Sequence, residues 1–354
     1  MYASVGDGHK STAEAIYEQL SMQKDINLKL IDIFDFSKIN IAAVINRINS
    51  KNLIFGLLYN FIWNQDSLKR FGNNTSSLLN INFQSLHNYI DSFSPDLVIC
   101  THALAAFVSI NHRIKIPVVA IVTDNRVSPA WISSKIDYYF VSNKVSKIDL
   151  VTNGININKI FNYGIPLKSQ FYGSNLPKPS TNKLSILVLA VGFGIYGYPD
   201  MFSNKLIKEI RIIEKIYNVT VVCGKNNRFK EKMIQSKLKG VKLLGFTKNM
   251  ADLMSQSSII VTKPGGVATS EALYLGKPII FIDKGFGQEK RHIEYLVNSG
   301  SAIELQDISN LSYVLKLLEN SRLLKIISNS TSKKKQLNST LSIKEKIISI
   351  IKKS

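Results

Sequence analysis

Cysteine is nearly absent from this chain, with only Cys100 and Cys223 in 354 residues. Both lie in apolar runs that read as strands, so a disulfide scaffold is excluded and the pair reads as small buried hydrophobes of a reducing cytoplasm. Long apolar runs are missing too. No uninterrupted stretch reaches the roughly 20 residues that span a bilayer, and the best candidate, Leu53-Ile54-Phe55-Gly56-Leu57-Leu58-Tyr59, stops at Asn60. The opening Met1-Tyr2-Ala3-Ser4-Val5 has neither the basic segment nor the apolar core of a secretory signal. Metal-ligand patterns are lacking: no Asp-x-Asp pair follows a strand-like run and no His/Cys cluster has ligand spacing, so metal-independent chemistry without a cofactor is expected. Acidic residues are few, 25 Asp and Glu against 45 Lys and Arg, and the net charge of +20 favours a polyanionic partner. The basic residues are spread over many helices, with no zinc-finger, helix-turn-helix or RNA-recognition spacing. Nucleic acid is therefore set aside for anionic membrane lipids and nucleotide substrates, and no protein partner is called for. A Lys-rich surface that merely reflects abundant Ile, Asn and Lys is the plainer alternative.

What is present is alternation. Strand-like runs at 28–33, 97–100, 118–122 and 138–141, then at 184–191, 219–223, 241–244, 259–261 and 279–282, are separated by helix-like segments. That order predicts an α/β protein of two Rossmann-like, doubly wound domains facing across a cleft. The Pro-, Ser- and Asn-rich stretch 173–182 reads as the linker between an N-terminal domain, 1–172, and a C-terminal domain, 183–330, with 331–354 as closing helices.

The most informative stretch is Thr262-Lys263-Pro264-Gly265-Gly266-Val267-Ala268-Thr269-Ser270-Glu271, after the strand-like Ser258-Ile259-Ile260-Val261 and before the helix-like Ala272-Leu273-Tyr274-Leu275. Glycines at a helix N-terminus let a diphosphate approach free N–H groups and the positive end of the helix dipole. Glu271 stands about one and a half turns into that helix, where a carboxylate can accept from both hydroxyls of a ribose. An αβ unit with a tight Gly-Gly turn is the bland reading of the glycines alone. The next strand-like run, Pro278-Ile279-Ile280-Phe281-Ile282, leads into a loop with Gly285, Gly287, Gln288 and Glu289, followed by His292 and Tyr295. In a doubly wound sheet these loops share one crevice, so Gln288 and Glu289 are expected beside the phosphate site.

From Phe246-Thr247-Lys248-Asn249-Met250 through Lys263-Pro264-Gly265-Gly266, Ser270-Glu271-Ala272 and Gly287-Gln288-Glu289, the chain resembles the C-terminal domain of the monogalactosyl- and glucosyl-diacylglycerol synthases. These are two-domain, inverting, UDP-sugar-dependent glycosyltransferases of GT-B architecture, with the peptidoglycan N-acetylglucosaminyltransferase a more distant relative. Further ordered matches are Ser4-Val5-Gly6-Asp7-Gly8-His9-Lys10, Pro95-Asp96-Leu97-Val98-Ile99-Cys100-Thr101-His102, Val122-Thr123-Asp124, Tyr163-Gly164-Ile165-Pro166 and Val222-Cys223-Gly224-Lys225-Asn226. The chain departs from the family at His102-Ala103-Leu104, where relatives carry His-Pro-Leu, and at Asp283-Lys284-Gly285-Phe286-Gly287-Gln288-Glu289, where they carry Pro-x-Pro-Gly-Gln-Glu. His292 stands where relatives carry Asn, and the loop Ala190-Val191-Gly192-Phe193-Gly194-Ile195-Tyr196-Gly197 lacks the usual Gly-Gly-Gly start. In the family a full strand precedes the loop resembling Gly6-Asp7-Gly8-His9. Only a few residues remain for it here, so either the natural start lies upstream, the favoured expectation, or the sheet lacks a central member.

The resemblance implies an N-terminal domain that takes the acceptor and a C-terminal domain that binds the UDP-sugar, with the last helix returning to the N-terminal domain. The uracil is expected near Phe246, Thr247 and Met250, the ribose on Glu271, the diphosphate on Gly265 and Gly266 helped by Gly192 and Gly194, and the sugar on Gln288 and Glu289. Inverting transfer needs a base for the acceptor hydroxyl. His9 is the leading candidate and Asp124 either orients it or is itself the base. His102, at another strand end, is a candidate acceptor or sugar contact. The strip at 39–71, with Ile41, Phe55, Leu57, Leu58, Phe61 and Trp63 near Arg47, Lys51, Lys69 and Arg70, suits a membrane surface as well as core packing. The expectation is a cytoplasmic hexosyltransferase, peripheral on the inner face of the cell membrane, that moves a hexose, with glucose foremost, from UDP-hexose to diacylglycerol. The alternatives are the lipid-linked peptidoglycan precursor N-acetylglucosaminyltransferase and a non-catalytic nucleotide-sugar or lipid-binding protein.

Overall fold

The computed structural model describes residues 1–4, 7–37, 83–111, 116–179, 183–190, 200–285, 288–336 and 338–352. The strip at 39–71 and the glycines Gly192 and Gly194 lie outside the described residues. The chain forms two compact units, Met1–Lys168 with Gln336–Ser354, and Ser169–Lys335. The division therefore falls ahead of the Pro-rich stretch 173–182. The reason is local: a 3-10 turn at Ser169–Tyr172 buries Phe171 and sets the Tyr172 ring edge-on against Tyr274 of the second unit, 5.0 Å between centroids.

In the first unit, β1 (Val98–Cys100), β2 (Val118–Ile121), β3 (Tyr138–Val141) and β4 (Ile160–Asn162) form a parallel sheet in that order. Residues 1–3 extend it: Thr101 N–H donates to Met1 O at 3.0 Å on one side, while Tyr2 N–H donates to Ile31 O and Ile33 N–H to Tyr2 O, both at 2.9 Å, on the other. Ala3 is fully buried there. Residues 1–3 thus stand beside β1 in the central position, where the sequence alone left a missing member as the alternative to an upstream start. The run at 28–33 contributes a single bridge, Tyr2 with Asp32, because its partner segment is so short. Alternation along the strands sends Val118 and Ala120 to one core and Val119 and Ile121 to the other. That second face is covered by α1 (Asp7–Leu20), through Ile16 and Leu20, and by the last helix, α12 (Ser339–Ile351), through Ile343, Ile347 and Ile350. The 4-3 spacing of those isoleucines puts them on one stripe, and truncating either fully buried one to Ala would cost about 2–5 kcal/mol. Gly164 makes this docking possible. Its φ is +93°, and a Cβ there would overlap the Ser339 and Gln336 side chains. Thr340 Oγ1 then clamps Leu167, accepting from its N–H at 3.0 Å and donating to its carbonyl at 2.7 Å.

The other helices of this unit are α2 (Gln84–Phe93), α3 (Ala103–Ile110) and α4 (Lys144–Thr152). The second unit holds a six-stranded parallel sheet in the order β10-β9-β8-β5-β6-β7: Ala302–Glu304, Ile279–Phe281, Ile259–Thr262, Ser185–Leu189, Asn218–Val222 and Val241–Leu244. Its helices are α5 (Asp200–Ile213), α6 (Asn227–Gln235), α7 (Met250–Ser255), α8 (Gly266–Tyr274), α9 (Gln288–Asn298), α10 (Leu311–Leu317) and α11 (Ser321–Ser332). The central strands β5 and β8 are apolar except for Ser185 and Thr262 at their ends, as a parallel sheet covered on both faces requires. Ile186, Val188, Val219, Val221, Ile259 and Val261 pack on Leu206, Ile210 and Ile213 of α5 and on Leu311 and Leu315 of α10. Strand order reverses between β5 and β8, so the switch point, where ligands bind in open α/β sheets, coincides with the end of β8. Cys100 and Cys223 are both buried free thiols. Burial raises Cys100 above its ordinary range and pushes Cys223 up to about 11. Among the described residues, no helix is long and apolar enough to cross a membrane.

Candidate active site

In the first unit, the polar residues of interest gather where the strands end. His9 lies in the first turn of α1, one step beyond the loop in which the sequence suggested it. Its Nδ1 sits 2.8 Å from Thr101 O and 3.1 Å from Thr123 Oγ1. A carbonyl only accepts, so in the neutral imidazole Nδ1 carries the proton and Nε2 keeps its lone pair. Thr101 grips the same residue twice, since its hydroxyl donates to the His9 carbonyl at 2.9 Å.

His102 follows directly and caps α3: its Nδ1 accepts from Leu104 N–H at 3.0 Å. Its tautomer is therefore the opposite one, with the proton on Nε2. The two rings meet edge to face, 4.5 Å between centroids. Burial, and secondarily the charge His9 can carry, hold His102 well below the usual imidazole range, so it stays neutral. Asp124 follows β2 in the segment Val122-Thr123-Asp124 and has only 1% of its surface exposed. Its Oδ2 accepts from the Trp131 indole N–H at 3.1 Å, and its carbonyl accepts from Ser142 Oγ at 2.7 Å. From the same segment, Thr123 Oγ1 reaches the His9 ring.

In the second unit, β8 ends in Lys263-Pro264 and α8 starts at Gly266 with Gly265 as its N-cap. Helices α4, α6, α11 and α12 are capped by Asn143, Asn226, Asn320 and Asn338. Gly265 offers the first turn of α8 no side-chain acceptor. Its backbone, φ −77° and ψ 135°, suits any residue, and, chain neighbours aside, a Cβ there would first meet Lys263 Cε at 3.9 Å. Neither conformation nor protein packing demands glycine at this position. Glu271 lies on the same helix and is half-buried.

The loop is tethered from α9. His292, 1% exposed, holds Pro264 O at 3.1 Å from its Nδ1, which must therefore carry the proton. Glu289, in the first turn of α9, pairs with Lys263 at 3.2 Å. Gly285 has φ +63°, and a Cβ on it would stand 2.8 Å from Glu289 Cβ, so here glycine is obligatory. Gln288 opens α9 beside them and is half-buried. After the edge strand β7, Phe246 is 67% exposed, Thr247 Oγ1 accepts from Asn249 N–H at 3.1 Å, and Met250 begins α7. The structure thus sets Gly265 and Gly266 after the end of β8, with Glu271 further along α8, and Gln288 and Glu289 at the start of α9, where Glu289 meets Lys263; His9, His102 and Asp124 lie beyond the strand ends of the other unit. Sequence reasoning missed Thr101, Thr123 and Lys263. The one available signal was their place at or next to strand ends already singled out.

Comparison with known proteins follows the same two-part division. A monogalactosyldiacylglycerol (MGDG) synthase model matches residues 9–167, and a glycosyltransferase family 28 C-terminal domain model matches residues 200–351. A processive diacylglycerol beta-glucosyltransferase of Staphylococcus epidermidis is 27% identical over 98% of this chain and 91% of its own length. A protein of the same name from Bacillus mycoides is 28% identical over 87% of this chain and 82% of its own. Among solved structures, MurG of Acinetobacter baumannii aligns over 100% of this chain and 98% of its own with TM-score 0.64 at 14% identity. The Neisseria meningitidis UDP-GlcNAc 2-epimerase bound to UDP-GlcNAc aligns over 98% and 97% with the same score at 17% identity. At such identities these two speak for the GT-B fold. An MGDG synthase domain is thus followed along the chain by a glycosyltransferase family 28 C-terminal domain, and the chain is a glycosyltransferase.

Proposed function

We propose that this enzyme moves a hexose, glucose foremost, from UDP-hexose to diacylglycerol with inversion at the anomeric carbon, without a metal. The acceptor assignment draws support from the diacylglycerol glucosyltransferases that align along nearly all of the chain. The single observation that carries the chemistry is the His9 tautomer: Nδ1–H engaged by Thr101 O leaves Nε2 to accept a proton. In the proposed step the free hydroxyl oxygen of diacylglycerol bonds to the anomeric carbon as the bond from that carbon to the diphosphate oxygen breaks. The hydroxyl proton passes to His9 Nε2, and the electron pair leaves with UDP. His102, neutral with its Nε2–H as donor, is assigned a contact to the acceptor or sugar. Asp124, buried and bonded to Trp131, is assigned to orienting His9 or to serving as the base in its place, with Thr123 of the same segment on the His9 ring.

On the donor side, the uncapped first turn of α8 takes the diphosphate, where preorganised N–H groups meet the charge that develops on leaving. Glu271 takes the ribose, Phe246, Thr247 and Met250 the uracil, and Gln288 and Glu289 the sugar hydroxyls. Gly192 and Gly194 are assigned to the same diphosphate. Because diacylglycerol stays in the bilayer, the enzyme is placed peripherally on the cytoplasmic leaflet, with the +20 charge drawing it to anionic lipid. The test is incubation with UDP-glucose, UDP-galactose or UDP-N-acetylglucosamine over diacylglycerol vesicles, neutral or anionic, followed by identification of the lipid product. A glucosyl lipid made fastest on anionic vesicles supports the reading. Turnover of UDP-N-acetylglucosamine alone, or no lipid product from any donor, overturns it.

A further inference from the structure

Lys263 has no part in the reading above, yet its position is unusual. It is the last side chain before the Pro264-Gly265 turn, and its Cε lies 3.9 Å from where a Cβ on Gly265 would stand. The arm therefore runs along the mouth of an uncapped helix N-terminus. A cation beside the positive end of a helix dipole is unfavourable unless an anion accompanies it. Glu289 supplies that anion: the pair is 3.2 Å apart, with side chains only 25% and 22% exposed. Both ends are held by rigid parts. His292 fixes the Lys263 side through Pro264 O, and the left-handed Gly285 lets the first turn of α9 close against it on the Glu289 side.

Resting on the donor reading above, we propose that Lys263 is the cation that meets the donor's diphosphate, and that Glu289 holds it until the donor arrives. Lys263 then exchanges one carboxylate for two phosphates, and the released Glu289 carboxylate accepts from the sugar hydroxyls. The exchange ties the two tasks together. UDP without a sugar must break the ion pair and gives Glu289 nothing in return, whereas UDP-hexose satisfies both partners. Discrimination between donor and spent UDP is thereby built into one ion pair between neighbouring loops.

The test is a double-mutant cycle on the full chain, titrating UDP and UDP-glucose by calorimetry, with thermal melts to confirm folding. Lys263→Met should weaken UDP by about tenfold or more, the loss of a charge-assisted contact, while Lys263→Arg keeps most of the affinity. Glu289→Gln should tighten UDP by about threefold, in the range of releasing a partly exposed ion pair, and weaken UDP-glucose relative to UDP. In the Lys263→Met background the gain from Glu289→Gln should vanish. If the gain persists there, Glu289 acts by simple charge repulsion and the exchange is wrong. Weakened UDP binding in Glu289→Gln alone also overturns it. In both cases UDP binding by the wild type leaves the donor reading standing, whereas a wild type that binds no UDP overturns both.

Discussion

Gly265 and Gly285 form a matched pair of glycines with opposite reasons for being there, and substituting each by Ala separates ligand approach from fold. At Gly265 the backbone is extended and an added Cβ meets only ordinary contact distance. Gly→Ala at such a site gains about 0.4–1 kcal/mol by restricting the unfolded chain. Alanine is a poorer N-cap, which takes back a similar amount, typically about 0.5–1 kcal/mol. The net change should lie within about 0.5 kcal/mol, or one to two degrees in Tm. UDP binding should nonetheless fall by about 10- to 100-fold, because the Cβ stands where the diphosphate must reach the backbone and one charged hydrogen bond is worth about 1.5–3 kcal/mol. Gly285→Ala should do the reverse to stability. Its φ of +63° and the 2.8 Å approach to Glu289 Cβ combine left-handed strain of about 1–2 kcal/mol with a steric overlap against backbone. Differential scanning calorimetry and UDP titration on the two variants are the assay. A Gly265→Ala protein that binds UDP normally would refute the phosphate-approach argument, and one that is grossly destabilised would refute the packing argument.

His9→Ala should leave UDP affinity nearly intact while cutting transfer by roughly 10²–10⁴, the usual contribution of a general base; near-normal turnover in a single-turnover assay would move the base role to Asp124 or elsewhere. Glu271→Ala should weaken UDP by about 1–3 kcal/mol, and calorimetry finding unchanged affinity in a folded variant would remove it as the ribose anchor. His102 sets a pH dependence whose sign is fixed. Its folded-state pKa lies well below the ordinary 6.5, so the unfolded chain binds a proton there that the folded chain refuses. The stability His102 permits is therefore present above about 6.5 and lost as pH falls below it, at up to about 1.4 kcal/mol per pH unit. His102→Asn keeps a cap acceptor for Leu104 N–H and removes the titration, so denaturant melts should show a shallower acid loss than wild type; an identical slope would contradict the assignment.

Much of this was legible in the sequence because parallel strands buried on both faces announce themselves as apolar runs. Seven of the nine runs named from the sequence sit close to strands β1–β3 and β6–β9. An eighth, 184–191, contains β5 (Ser185–Leu189), with its last residue outside the described set. The edge strands β4 and β10 were missed. Each is three residues long with only its first residue buried, too little for a periodic signal. The run at 28–33 overstated the strand, since pairing there is limited by the short segment 1–3. The glycines and Glu271 were readable because their spacing is local. The setting of His9 was not, since the Thr101 carbonyl that selects its tautomer is 92 residues away and is backbone, invisible to any motif. The Lys263–Glu289 pair was hidden in the same way, formed between loops that meet only once β8 and β9 are neighbours.

Inverting transfer to diacylglycerol can be read from the structure of the product. Wild-type enzyme should be incubated with UDP-glucose, whose glucose is α-linked, and with diacylglycerol in anionic vesicles, and the lipid product analysed by proton NMR at the anomeric position. A β-linked glucosyldiacylglycerol is expected, formed with one UDP released per sugar transferred. An α-linked lipid would contradict inversion, and UDP release with free glucose and no glycolipid would contradict diacylglycerol as the acceptor.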